Sequence, residues 1–236
     1  MNRRIPLHAA LACLAMTLAT GCTPQAPADP AADAAASPAT PPAETRSSTV
    51  PAAGDEAADD AADPALDSAR AAAMAFSGRL RARLQGAMAE GGPVAAVEVC
   101  HDDAPRIAEA VMAEHGLRLG RVAVPGRNRN PAHAPDDWRL ATLEVFQAAV
   151  DGGAPAGEQI AVLRDGLPDG VALRMMRGIA TEPGCLACHG GKATPEVREA
   201  IAARYPGDRA TGFAVGDLRG ALWVEVPAAA AAAAPQ

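Results

Sequence analysis

No cysteine or histidine follows His189 in this 236-residue chain. The two cysteines just before it therefore have no downstream partners for a four-ligand zinc site. No basic run opposes the formal net charge of −7, which argues against an electrostatic nucleic-acid surface. A Gly-rich phosphate loop, a nucleophile paired with a base and a second metal-ligand cluster are also missing. Their absence removes the usual sequence signatures of nucleotide-driven and hydrolytic enzymes, and no enzymatic activity is expected. Asp102 and Asp103 resemble a catalytic carboxylate pair on paper, but beside Pro105 they read as capping and surface charge.

What is present centres on Cys185-Leu186-Ala187-Cys188-His189. This C-x-x-C-H pattern reads as covalent attachment of c-type haem. The two thiols are spaced to add to the two vinyl groups of one porphyrin, and His189 is then held against one face as an axial iron ligand. A thioredoxin-like redox pair would open a helix behind a strand. Here the motif lies between Thr181-Glu182-Pro183-Gly184 and Gly190-Gly191-Lys192, in an expected loop.

The first 22 residues read as a targeting segment. Arg3 and Arg4 precede an apolar run from Ile5 to Ala19 that is too short to span a bilayer as an ordinary helix. Leu18-Ala19-Thr20-Gly21-Cys22 resembles a bacterial lipobox, with Leu18 one place earlier than the usual large apolar residue. Cys22 is the candidate lipid anchor, and ordinary cleavage nearby is the alternative. Either route exports the chain. Thr23 after Cys22 favours the periplasmic side of the outer membrane.

Cysteine bookkeeping follows. Of the five cysteines, Cys13 leaves with the signal, Cys22 takes lipid, and Cys185 and Cys188 take haem. Cys100 is left with no disulfide partner. On its residues alone it is either a small core side chain or an iron ligand. Residues 23–65 are Ala, Pro, Asp, Ser and Thr with no aromatic, and read as a disordered tether with a mean reach of ~35 Å. Residues 228–236 read as a low-complexity tail with nothing to pack against. Alanine in these regions inflates the 49% hydrophobic content.

Residues 66–227 form one domain. Asp67 is the expected cap of a first helix with Met74, Leu80, Leu84 and Met88 as its stripe, broken at Gly91-Gly92-Pro93. A second helix runs past Cys100, bends at Pro105 and ends at Gly116. Strands are expected at 121–124, 159–163, 171–177, 211–215 and 221–226, the last two as a hairpin. Helices are expected from Asp136 or Asp137 to Val150 and from Thr194 to Tyr205. Trp138 and Trp223 read as core.

Four stretches resemble one known family. They are Val97-Glu98-Val99-Cys100 with Ala104-Pro105, the run Arg129 to Trp138, the C-x-x-C-H, and Asp208 to Phe213 leading into Gly216 to Gly220. In this order they resemble the PAS-like family of monohaem c-type domains, found ahead of histidine kinases or as stand-alone lipoproteins. His133 stands where the family more often has Asn, and Arg139 where an acidic residue is common. The resemblance implies an α+β, PAS-like antiparallel sheet with N-terminal helices and a late haem-binding loop. It also implies one haem c, held by His189 on one face and a Cys100 thiolate on the other.

Rivals for the second axial position are His133, Met175 and Met176. His101 faces elsewhere on its helix, and His115 suits a helix C-terminus. Arg106, Arg174 and Arg177 are candidate partners for haem propionates or plain surface charge. The function expected is haem-mediated electron transfer with a redox partner. The runner-up is a redox or diatomic-gas sensor acting through a signalling partner.

Overall fold

In the computed structural model, which describes residues 63–232, the first helix α1 (Pro64–Glu98) starts at Asp63. The Asp63 carboxylate accepts from Leu66 N at 3.0 Å, and Pro64 occupies the first helical position, where a missing N–H costs nothing. Asp67, the expected cap, sits inside the first turn. The helix therefore begins within the stretch expected to be tether. The Gly91–Pro93 break is a kink at Gly92 (φ 68°) within α1. Its buried face is Ala69, Ala72, Ala73, Phe76, Leu80 and Ala87, whereas Met74 and Met88 are exposed. Alanine lets the helix axis approach the sheet more closely than a methionine stripe would.

A π-helical turn, Val99–Asp103, joins α1 to α2 (Ala104–His115). Pro105 cannot donate to His101 O four residues back, and the wider turn absorbs the mismatch. Gly116 (φ 64°) ends α2 in the left-handed conformation.

Four strands form one antiparallel sheet: β1 (Arg118–Ala123), β2 (Ile160–Leu163), β3 (Val171–Ala180) and β4 (Leu218–Pro227), in the order β1-β4-β3-β2. Met176 faces Trp223 across β3–β4, and Arg121 faces Leu222 across β1–β4. Alternation splits the core. Leu173, Met175, Leu222, Val224 and Val226 pack under α1 and α2. Val122, Met176 and Ala221 pack with Leu143 and Phe146 of α3 (Asp137–Asp151), which Asp136 caps. This is the α+β, PAS-like arrangement. No helix among the described residues is long and apolar enough to cross a membrane.

Three expectations are corrected. Thr211–Val215 is not a strand, and β4 pairs instead with β1 and β3. The C-x-x-C-H segment is not a plain loop: Pro183–Cys185 is a 3₁₀ turn leading into a short helix, α4 (Leu186–His189). Ala228–Ala232 forms α6, and Ala230 and Ala231 pack on the main core, so part of the tail has a partner. Helix α5 (Pro195–Arg204) is capped by Thr194 as expected. Trp138 and Trp223 are partly buried edge-to-face at 6.5 Å, with Arg139 over Trp223 and Arg174 over Trp138. The targeting segment and most of the tether lie outside the described residues.

Gly220 permits the β1–β4 contact. At φ 155° its Cβ position would lie 2.1 Å from Val122 O. Gly220→Ala should destabilise by about 1–3 kcal/mol in urea unfolding. Gly78→Ala, in open space on the exposed face of α1, should instead stabilise by about 0.5–1 kcal/mol. Equal effects of the two would refute the close-approach account.

Candidate functional site

Cys185 and Cys188 stand three residues apart on successive helical turns, a spacing that keeps two side chains on one side. Cys185 N donates to Glu182 O at 2.9 Å, and Gly190 N to Leu186 O at 3.0 Å, so the motif is closed at both ends. Gly190 is required for the exit, because a Cβ there would lie 2.7 Å from Leu186 O. Both thiols are free and half-buried. Burial pushes the Cys188 thiol up, with Arg129 opposing.

His189 is oriented through its backbone-facing nitrogen. Nδ1 lies 2.8 Å from Ala210 O. A carbonyl only accepts, so Nδ1 carries the proton and Nε2 keeps its lone pair. Burial, then the charges of Arg219 and Arg129, push the His189 pKa down to about 3. The ring is therefore neutral, with Nδ1 tied to a carbonyl and the unprotonated Nε2 accepting from Arg219 Nη1 at 3.3 Å, the tautomer an imidazole metal ligand requires.

That carbonyl and the second thiol hang from one ion pair. Arg129 Nε donates to Asp208 Oδ1 at 3.0 Å and Nη2 to Oδ2 at 3.2 Å, with both side chains about nine-tenths buried. Arg129 Nη2 also donates to Cys188 O at 2.8 Å, and Asp208 Oδ1 accepts from Ala210 N at 2.9 Å. Phe213 N donates to His189 O at 3.0 Å. Segment 208–213 thus directs its backbone groups to the C-x-x-C-H turn rather than to a neighbouring strand. This explains why the expected strand is absent. Neither Arg129 nor Asp208 was singled out from sequence for a role. Their only signal was that each opens one of the four family-like stretches.

His189 lines a cleft together with Cys100, Arg121, His133, Tyr205 and Arg219, among others. The π turn at the end of α1 brings Cys100 there, so the two expected axial residues share one cavity. Among the described residues no group of three or more His, Cys, Asp or Glu could hold a metal ion by itself. A metal here must bring further ligands of its own, which fits a tetrapyrrole with two axial side chains. Cys185 and Cys188, on the turn that ends in His189, would hold such a ring through its vinyl groups and not through the metal.

The other candidates separate. His133 lines the same cleft, and burial, then Arg121, push its pKa down to about 4. Met175 and Met176 are both buried on opposite faces of the sheet, so neither reaches the cleft. His101 Nδ1 lies 2.6 Å from Asp102 Oδ1, with its ring edge-on to Tyr205. His115 ends α2. Arg106 pairs with Asp103, Arg174 with Glu225, and Arg177 is exposed. The arginines that do line the cleft are Arg121, Arg127, Arg129 and Arg219. Cys22 lies outside the described residues.

The model of the Tll0287-like family matches residues 51–227. Among solved structures, the cyanobacterial heme-protein Tll0287 is similar, at 32% sequence identity and a TM-score of 0.43, over 53% of this chain and 70% of that one. No curated protein matches the chain.

Two outcomes are expected. Arg129→Ala strands Asp208 without its buried partner and should cost about 3–5 kcal/mol in denaturant unfolding. A cost under 1 kcal/mol would refute the ion pair as the anchor. The unfolded chain protonates His133 below pH 6.5, whereas the folded protein does so only near about 4. Stability is therefore full above pH 6.5 and falls as pH drops through that window. His133→Gln should flatten this part of the stability–pH curve, and an unchanged slope would remove His133 as its source.

Proposed function

The chain belongs to the Tll0287-like family, and from that premise we propose that it binds one haem c through Cys185 and Cys188 and mediates electron transfer between partner proteins. In this reading the protein is exported, has no reaction of its own, and is anchored through Cys22 on the periplasmic side of the outer membrane. Bound haem supplies a one-electron ferric–ferrous couple. The observation that supports the reading best is the pairing of His189 and Cys100 in one cleft.

Each residue has a stated task. Cys185 and Cys188 form the two thioether links. His189, held by Ala210 O, offers Nε2 to the iron without a rotamer search. Cys100 offers a thiolate from the opposing element, and an anionic ligand favours ferric iron and lowers the potential.

One observation favours sensing as a second reading. Cys100 lies within a π turn, Val99–Asp103. Such a turn differs from the α register by one residue, so a small slip withdraws the thiol and turns α2 with it. A diatomic ligand would then take the freed position, and a partner protein would read the movement.

Absorption and EPR spectra of ferric wild type beside Cys100→Ala, followed by reduction and CO, separate the two readings. The carrier reading expects a low-spin thiolate signature that the variant loses, and no CO uptake by the reduced wild type. CO binding on reduction would instead favour the sensor. Identical ferric spectra would refute Cys100 as ligand. A wild type without covalent haem, after expression with haem-attachment machinery, would refute the whole proposal.

A further inference from the structure

Four arginines line the cleft, and no Asp or Glu does. Two of the four are already engaged. Arg129 is paired with Asp208, and Arg127 lies 3.5 Å over the Phe213 ring and donates to Thr211 O at 2.5 Å. The other two are not. Arg121 makes no hydrogen bond or ion pair among the described residues. Arg219 makes one, a 3.3 Å contact from Nη1 to His189 Nε2, and its Nε is buried without a partner. A guanidinium carries five N–H donors, so two adjacent forks offer ten donors and use one.

Such an arrangement is unfavourable by itself. Burial lowers the Arg121 pKa, and the neighbouring Arg219 charge adds to the effect, while Cys100 and Tyr205 oppose it. Half-buried cations of like sign are retained where an anion completes them. The fork geometry matches carboxylate better than any other common anion except phosphate. A porphyrin anchored through its two vinyl positions directs two carboxylates away from the anchor. Cys185 ends the 3₁₀ turn and Cys188 lies in α4, whereas Arg121 and Arg219 stand on strands β1 and β4.

We propose that Arg121 and Arg219 form a two-fork carboxylate seat that binds the propionates of the haem held at Cys185 and Cys188. This rests on the haem reading above. A carboxylate is a stronger partner for a guanidinium than a neutral imidazole nitrogen. Arg219 therefore gives up His189 Nε2 as it takes the propionate, and the same residue that seats the ring edge releases the axial nitrogen. Arg106, Arg174 and Arg177, the sequence candidates for this role, are outside the cleft.

The test uses the haem-loaded full chain with Arg121→Gln, Arg219→Gln, the double variant, and the Arg→Lys versions of each. Three quantities are measured: haem retained on a denaturing gel, the reduction potential, and carboxylate bands in the redox-difference infrared spectrum. Retained haem should equal wild type, because the thioethers hold it. Each Gln change removes a cation near the iron and should shift the ferric–ferrous equilibrium roughly tenfold toward ferric, ~59 mV downward. The carboxylate bands should move in every Gln variant and partly in the Lys variants, which keep the charge and lose the fork. Exposed Arg177→Gln should change neither quantity.

Unchanged potential and bands in a haem-loaded double variant would overturn the seat. Should the Gln variants fail to fold, the Lys variants decide, since unmoved bands in folded Lys proteins overturn it equally. Acetate added at constant ionic strength tests the other source of carboxylate. A wild-type potential that follows acetate, with no change in the propionate bands of the variants, would assign the seat to free anions and overturn the propionate assignment. A wild type with no covalent haem overturns both this proposal and the function on which it rests. Loss of the arginine effects alone leaves the haem reading standing.

Discussion

The Arg129–Asp208 ion pair is the constraint on which the cleft depends. Burying two charges costs more than their attraction returns unless the remaining donors and acceptors are also satisfied. Here those extra bonds go to Cys188 O and Ala210 N, which belong to segments far apart in sequence. The satisfaction of the pair and the placement of the second thiol and the His189 acceptor are therefore one event. Neither can be loosened alone.

The electrostatics of the cleft run against the charge of the whole chain. The sequence is acidic, at −7, yet the cleft lining carries four arginines and no carboxylate. One is neutralised by Asp208. Burial with the charge of Arg121 lowers the His133 pKa, and burial with the charges of Arg219, Arg129 and Arg121 lowers that of His189, so both rings stay neutral. A positive interior suits an anionic thiolate at Cys100 and anionic groups on a bound ring. It also disfavours a protonated imidazole that could not ligate iron.

Packing explains how Cys100 is delivered to the cleft. The alanine-rich face of α1 seats the helix close on Leu222, Val224 and Val226. Pro105 then forces the following turn open, and Cys100 falls within that turn. A regular α-helix through 99–103 would place residue 100 at a different angle, since a π turn carries one residue more. The position of the thiol is thus set by a proline five residues later.

The sequence by itself determined the C-x-x-C-H motif, the free thiol at Cys100, the α+β class and most element positions, because these follow from residue spacing and local periodicity. C-x-x-C-H is a contiguous pattern, and the apolar alternation of 171–177 and 221–226 is local. Thr194 as the start of α5 was equally legible, and the choice between Asp136 and Asp137 as the cap of α3 fell to Asp136. Only the tertiary structure decided the rest. Thr211–Val215 has strand composition, but its backbone partners are His189 and Arg127, which no local rule supplies. Met74 and Met88 fit a helical stripe, yet the face that packs on the sheet is Ala69, Ala72, Ala73, Phe76, Leu80 and Ala87, and the two methionines are exposed. Arg121 and Arg219 look like any strand arginine. They become site residues because β1 and β4 pair next to one another and bring two cations, an imidazole and a thiol from four distant segments to one cavity.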